Sequence, residues 1–126
     1  MEQDQQPTLV FVPDLFFQAK ILATAKATGR LIRVVPSPEA LIEECRTPGA
    51  GVVILDLAPA GIDPIRIIQA IKTSDRTGAP RVVGFYSHIN KDIERRAREA
   101  GCDLMLSKST FSKRLPEILA GAASIG

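Results

Sequence analysis

Five short apolar runs punctuate the chain: Leu9–Val12, Leu31–Val35, Val52–Leu55, Val82–Tyr86 and Leu104–Leu106. They are rich in β-branched, aliphatic and aromatic residues, and Pro, Gly, Ser or Asp bounds each of them. Both features are strand signals. Three runs show no polar alternation, as expected of strands covered on both faces of a parallel sheet. Arg33 interrupts the second run, which suits an edge strand.

Helical spacing fills the intervals. Phe17, Ile21, Leu22 and Ala25 predict one buried stripe, with Gly29 where a C-terminal cap belongs. Ser37-Pro38-Glu39 predicts a helix start: Ser caps, Pro occupies the first helical position and Glu complements the positive end. Ile65, Ile68 and Ile71 give the third helix its inner face. Ile89, Ile93, Ala97 and Ala100 give the fourth, closed by Gly101. Phe111, Leu115, Ile118, Leu119 and Ala122 give the fifth. Pro116 lacks an N–H, which predicts that this helix begins near Pro116 rather than near Ser112.

Five strand–helix units in tandem imply a doubly wound α/β fold: a five-stranded parallel sheet with five helices on its two faces. Residues 1–7 read as a short disordered lead and residues 8–126 as one domain. A chain of 126 residues is long enough to close a single core.

Composition narrows the classes. Sixteen Lys and Arg face fourteen Asp and Glu, a formal charge of +2. That balance gives little support to nucleic-acid binding. No apolar run approaches the roughly 20 residues of a membrane helix, and the opening MEQDQQPT is no secretion signal. Cys45 and Cys102 lie far apart without ligand spacing, so free buried thiols in a reducing cytoplasm are expected. No GxGxxG or GxxxxGK[ST] is present, so nucleotide binding has no motif behind it.

In a doubly wound sheet, ligands sit beyond the carboxyl ends of the strands, where strand order reverses. Pro13-Asp14 follows the first strand and Asp56 ends the third. Tyr86, Ser87 and His88 follow the fourth; Ser107 and Lys108 follow the fifth. With strand order 2-1-3-4-5, Asp14 and Asp56 are neighbours at the switch point. A carboxylate can accept a phosphoryl group. Carboxylates can hold Mg²⁺, and a Lys with hydroxyls can receive phosphoryl oxygens.

The segments "VVILDLAPAGID" and "EAGCDLMLSKS", with an acid after the first strand, resemble the receiver domain of bacterial two-component response regulators over roughly residues 8–123. That resemblance implies a flavodoxin-like sheet of order 2-1-3-4-5 and a signalling role rather than substrate turnover. It implies Asp56 as phosphoacceptor, Asp14 with Asp56 as metal-side carboxylates, and Lys108 as the phosphate-side cation, with Tyr86 or Ser87 at the hydroxyl position. The departures imply an atypical, pseudo-receiver variant. Pro13 replaces one of two adjacent acids, so Mg²⁺ is absent or weakly bound. Tyr86 stands at the small hydroxyl position, Ala60 replaces a Pro, Pro64 replaces a Gly, and Ser109 replaces the Pro after the Lys.

Several residues have structural readings beside the functional ones. Asp14 can cap the first helix, and Asp56 the loop that follows it. Lys108 can pair with Asp56 and hold the rim shut. Tyr86 can simply pack at a strand end, and the lone His88 carries no motif. Residues 1–65 hold 5 basic and 8 acidic groups, and residues 66–126 hold 11 and 6. Lys91, Arg95 and Arg98 on the fourth helix therefore form a candidate partner surface. The basic charge there suggests an acidic protein partner; the resemblance implies that the face of the fourth helix, fifth strand and fifth helix is a partner and homodimer surface, and that a histidine kinase is a further partner. The competing reading is a solvated face with Asp92–Arg96 and Glu94–Arg98 pairs. A functional phosphorelay receiver and a small flavodoxin-like enzyme or cofactor carrier are the alternatives.

Overall fold

The computed structural model describes residues 7–46, 51–57, 61–73, 80–87 and 91–120. Strands and helices alternate: β1 (Thr8–Phe11), α1 (Leu15–Thr28), β2 (Ile32–Val34), α2 (Pro38–Arg46), β3 (Val52–Asp56), α3 (Pro64–Thr73), β4 (Arg81–Tyr86), α4 (Lys91–Ala100), β5 (Leu104–Ser107) and α5 (Lys108–Leu119). All strand pairs are parallel and the sheet order is β2-β1-β3-β4-β5. The expected fold class is thus observed, and Arg33 lies on the edge strand β2, paired to Glu44 at 2.9 Å.

Successive residues of a strand point to opposite faces, and the core divides accordingly. Leu9, Phe11, Val53, Leu55 and Val82 join Leu41 and Cys45 of α2, the isoleucines of α3 and Ala97 of α4. Val10, Ile54, Val83 and Phe85 join Phe17, Ile21 and Ala25 of α1 and the apolar face of α5. Helices α1 and α5 therefore cover one face of the sheet, and α2, α3 and α4 the other.

Local chemistry sets the helix ends. Asp14 caps α1, and Gly29, at φ 69°, closes it in the left-handed conformation. Ser37 Oγ accepts the Ala40 N–H at 3.1 Å at the start of α2. Asp63 Oδ1 accepts the Ile65 N–H at 3.0 Å at the start of α3, where Pro64 is the first helical residue.

Two expectations need correction. Leu22 is 43% exposed, not part of the buried stripe of α1. It sits one residue past Ile21, about 100° around the helix. The second concerns α5, which begins at Lys108 and runs through Pro116. Phe111 and Leu115 before the proline and Ile118 and Leu119 after it are all buried, and this packing offsets the missing hydrogen bond. Readings that rested on residues 1–6, Ala60, His88, Ile89 and Ala122 lie outside the described residues.

Away from the carboxyl edge, Asp103 Oδ2 accepts the Val82 N–H at 2.7 Å and Lys72 Nζ at 2.8 Å. This links the start of β4 to α3. Cys45 and Cys102 are free and buried, and burial pushes both thiols up to about 11. They are protonated at neutral pH, hence poor nucleophiles. No helix among the described residues is long and apolar enough to cross a membrane.

Candidate functional site

The register of β1 on β3, Phe11 opposite Leu55, brings the residues after β1 and the last residue of β3 to the same edge of the sheet. Half-buried Asp56 ends β3 there. Asp14 begins α1, where Oδ1 accepts the Phe16 N–H at 2.9 Å and the Phe17 N–H at 3.2 Å. These bonds satisfy donors that a helix start leaves open.

Lys108 reaches the same edge for a local reason. Ser107 accepts the Thr110 N–H at 3.2 Å and so caps α5, making Lys108 its first residue. Lys108 Nζ lies 3.6 Å from Asp14 Oδ2 and 4.6 Å from the centroid of the Phe17 ring. The ammonium is held by a carboxylate and by an aromatic face together. The bond from the Phe17 N–H is the largest influence lowering the Asp14 pKa below its ordinary value, with the Phe16 bond and Lys108 adding to it.

A depressed carboxylate stabilises the folded chain above its unfolded pKa, and that contribution is lost as pH falls through the lower folded pKa. Asp14→Ala should therefore melt a few degrees below wild type at neutral pH, with the gap narrowing below about pH 4, where protonated Asp14 loses its charge but keeps an oxygen for the cap. Asp14→Asn keeps an amide oxygen as cap but loses the charge that faces Lys108, and should melt between the alanine variant and wild type at neutral pH. Thermal melts of the three proteins at pH 7 and pH 3 check this. Equal melting temperatures for Ala and wild type at pH 7 would contradict the capping role.

The other expected site residues divide between the two sheet faces. Tyr86 pairs with Ser107 in the β4–β5 register and packs, half-buried, against the core beneath α3 and α4. Exposed Ser87 instead joins Ser107, Lys108, Ser109, Ser112 and Phe17 around a cavity of about 430 Å³. This set of serine hydroxyls around one ammonium was not read from the sequence beyond Ser87, Ser107 and Lys108. The i, i+4 spacing of Lys108 and Ser112 was the available signal.

The donors at this edge make a poor resident site for a hard divalent cation. One oxygen of Asp14 already accepts two backbone N–H groups and the other faces Lys108. Pro13 supplies no carboxylate, and no group of three potential metal-ligating side chains occurs among the described residues.

On α4, Arg95 pairs with Asp92 at 2.7 Å and Glu99 at 3.4 Å, Arg98 with Glu94 at 3.4 Å, and Arg96 with Asp92 at 3.7 Å. The basic stripe is thus largely neutralised by acids of its own helix. Lys91 is exposed at the start of α4.

No protein-family model matches the chain, and no curated protein matches it. Solved structures match it closely in fold. A response regulator signal receiver domain from Bermanella marisrubri superposes with a TM-score of 0.78 at 18% identity, over 92% of this chain and 96% of the other. A CheY-like response regulator receiver domain protein from Methanospirillum hungatei JF-1 gives 0.74 at 10% identity, over 96% and 98%. A two-component response regulator from Clostridium difficile gives 0.75 at 16% identity, over 92% and 97%. The chain has the receiver fold. At these identities the likeness is one of architecture, and receiver-fold surfaces serve more than one chemistry.

Proposed function

We propose that the chain is a receiver-type signalling module of the atypical kind, working through protein–protein contact rather than turnover of a substrate. The observation that supports this best is the engagement of Asp14. Within a receiver fold, the carboxylate at the metal-side position serves as a helix cap and as the counter-ion of Lys108. With Pro13 beside it, this edge favours a closed ion pair over a cation and a phosphoryl group.

The carboxyl edge also speaks against a cofactor carrier. A groove of about 490 Å³ opens at the ends of β1 and β2, lined by Phe11, Val12, Pro13, Leu15, Val34 and Val35 among others. Small-molecule sites combine apolar walls with a few convergent polar groups. Gln18 is the one polar side chain lining this groove, and its amide already donates to the Val12 carbonyl at 3.0 Å.

The test is incubation with Mg²⁺ and a small acyl-phosphate donor, followed by intact-mass measurement. Wild type is expected to gain no phosphoryl group. A gain of one phosphoryl mass in wild type that disappears in Asp56→Asn would overturn the atypical reading. It would establish Asp56 as a phosphoacceptor, the role that fits a histidine-kinase phosphorelay. A second reading is favoured by the cavity around Lys108, whose ammonium and serine hydroxyls are the right groups for phosphoryl oxygens.

A further inference from the structure

The cavity of about 430 Å³ beyond β5 draws its lining from three parts of the chain: Phe17 of α1, Ser87 after β4, and Ser107, Lys108, Ser109 and Ser112 at the β5–α5 junction. Its volume is in the range of small-molecule sites. Neither Asp14 nor Asp56 lines it, so the one ionised group on its wall is an ammonium. The hydroxyls of Ser87, Ser109 and Ser112 make no hydrogen bond among the described residues. One cation and three unengaged hydroxyls therefore share a single hollow.

Lys108 still has donors to give. Its pair with Asp14, at 3.6 Å, is longer than the roughly 2.7–2.9 Å of a charge-assisted hydrogen bond, and an ammonium carries three N–H groups. Asp14 Oδ1 is committed to the Phe16 and Phe17 N–H groups. An anion in the cavity thus competes with Asp14 Oδ2 for Lys108 and leaves the cap of α1 in place. The Phe17 ring, 4.6 Å from Nζ, holds the ammonium beside the cavity.

Deepening the atypical reading, on which it rests, we propose that this cavity reversibly binds a small phosphate monoester. The ester is held without a covalent bond, without a divalent cation and without Asp56. Its phosphoryl oxygens accept from Lys108 and the serine hydroxyls, and its organic group lies against Phe17. The lining selects for an oxyanion: it offers donors and one positive charge, and no carboxylate that would favour a cation or an amine. A phosphate monoester carries three acceptor oxygens and a charge of about −1.5 to −2 at neutral pH, which matches one ammonium and several hydroxyls. Occupation of the site releases Asp14 Oδ2 and unties the start of α1 from the start of α5.

Isotope-labelled protein titrated with phenyl phosphate in the presence of EDTA tests the inference by amide chemical shifts. Saturable shifts are expected at Phe17, Ser87 and residues 107–112, with half-saturation at about 1 mM. Inorganic phosphate should bind in the same place about five-fold more weakly, having no apolar group to lay on Phe17. Lys108→Met should weaken phenyl phosphate by about ten-fold or more. Ser112→Ala, which removes only a half-buried hydroxyl, should weaken it by about five-fold. Asp14→Asn removes the competing charge and should tighten binding by about two- to five-fold. Asp56→Asn and added Mg²⁺ should leave it unchanged.

Shifts that grow without saturating, or equal shifts with phenol, would overturn the site. So would a need for Mg²⁺ or loss of binding in Asp56→Asn, since either puts the phosphoryl group at the acceptor carboxylate instead. Equal affinity for inorganic phosphate would overturn the ester in favour of the bare ion, and weaker binding to Asp14→Asn would refute the competition for Lys108. Failure of the broader reading registers separately, as a phosphoryl mass on Asp56 in the phosphodonor experiment.

Discussion

Phe111→Ala is expected to lower the unfolding free energy by about 3–5 kcal/mol, the largest effect of any single substitution considered. Phe111 is fully buried. Its ring stacks on Phe85 at 4.9 Å between centroids and sits tilted 5.7 Å from Phe17; Phe17 and Phe85 are 5.0 Å apart. One ring each from α5, β4 and α1 thus forms the aromatic centre of that face of the sheet. Deleting the Phe111 ring loses its transfer free energy and leaves a cavity that two rings from other elements cannot both fill. The Phe17 ring also lies under the Lys108 ammonium, so the vacancy reaches the carboxyl edge. Urea denaturation followed by circular dichroism is the measurement, because the chain has no Trp and a single Tyr. Phe111→Leu, which refills most of the volume, should cost less than half as much. A loss below about 1 kcal/mol for the alanine variant would show that the three rings are not a cooperative unit.

Gly84→Ala is the second. A Cβ at position 84, in the middle of β4, would lie 2.7 Å from both Cγ and Cδ1 of Leu57 and 2.8 Å from Cδ2. The clash involves the branch point as well as the tip of the side chain. Leu57 is 2% exposed and has nowhere to retreat. Overpacking of this kind costs about 1–3 kcal/mol, and Gly84→Val should exceed Gly84→Ala. Glycine within a strand marks a close approach, and here the approaching group is the residue directly after Asp56. Because the Leu57 N–H donates to the Phe85 carbonyl at 2.9 Å, displacement of Leu57 should also shift the Asp56 amide resonance. Combining Gly84→Ala with Leu57→Ala should cost less than the sum of the single changes, since the second removes what the first collides with. Strict additivity would refute the contact.

These two sites differ in how visible they were. The Phe111 stripe was legible from its i, i+4, i+7 spacing, as were the five strands, the edge position of the Arg33 strand and the caps at Asp14, Ser37 and Gly29. Each rests on signals within a few residues. Gly84 read only as part of an apolar run, because the residue it must accommodate lies 27 positions earlier. The start of α5 was misplaced for the same kind of reason. Pro116 looks like a helix breaker locally, and burial of the residues on both sides overrides it. The i, i+4 pairs on α4 were foreseeable and are present. The exposure of Leu15 and Phe16 was not, because an apolar residue carries no mark of which side of a helix will be left uncovered.

By itself the sequence determined the alternation of elements, their inner faces and which polar residues fall at strand ends, since periodicity and capping act over one or two turns. Only the tertiary structure decided that Lys108 lies on Asp14 and the Phe17 ring, that Ser87 and Tyr86 work on opposite faces, and that α1 keeps a second apolar side in water. Those outcomes depend on which distant segments the parallel sheet brings together, and packing between elements far apart in the chain leaves no local pattern to read.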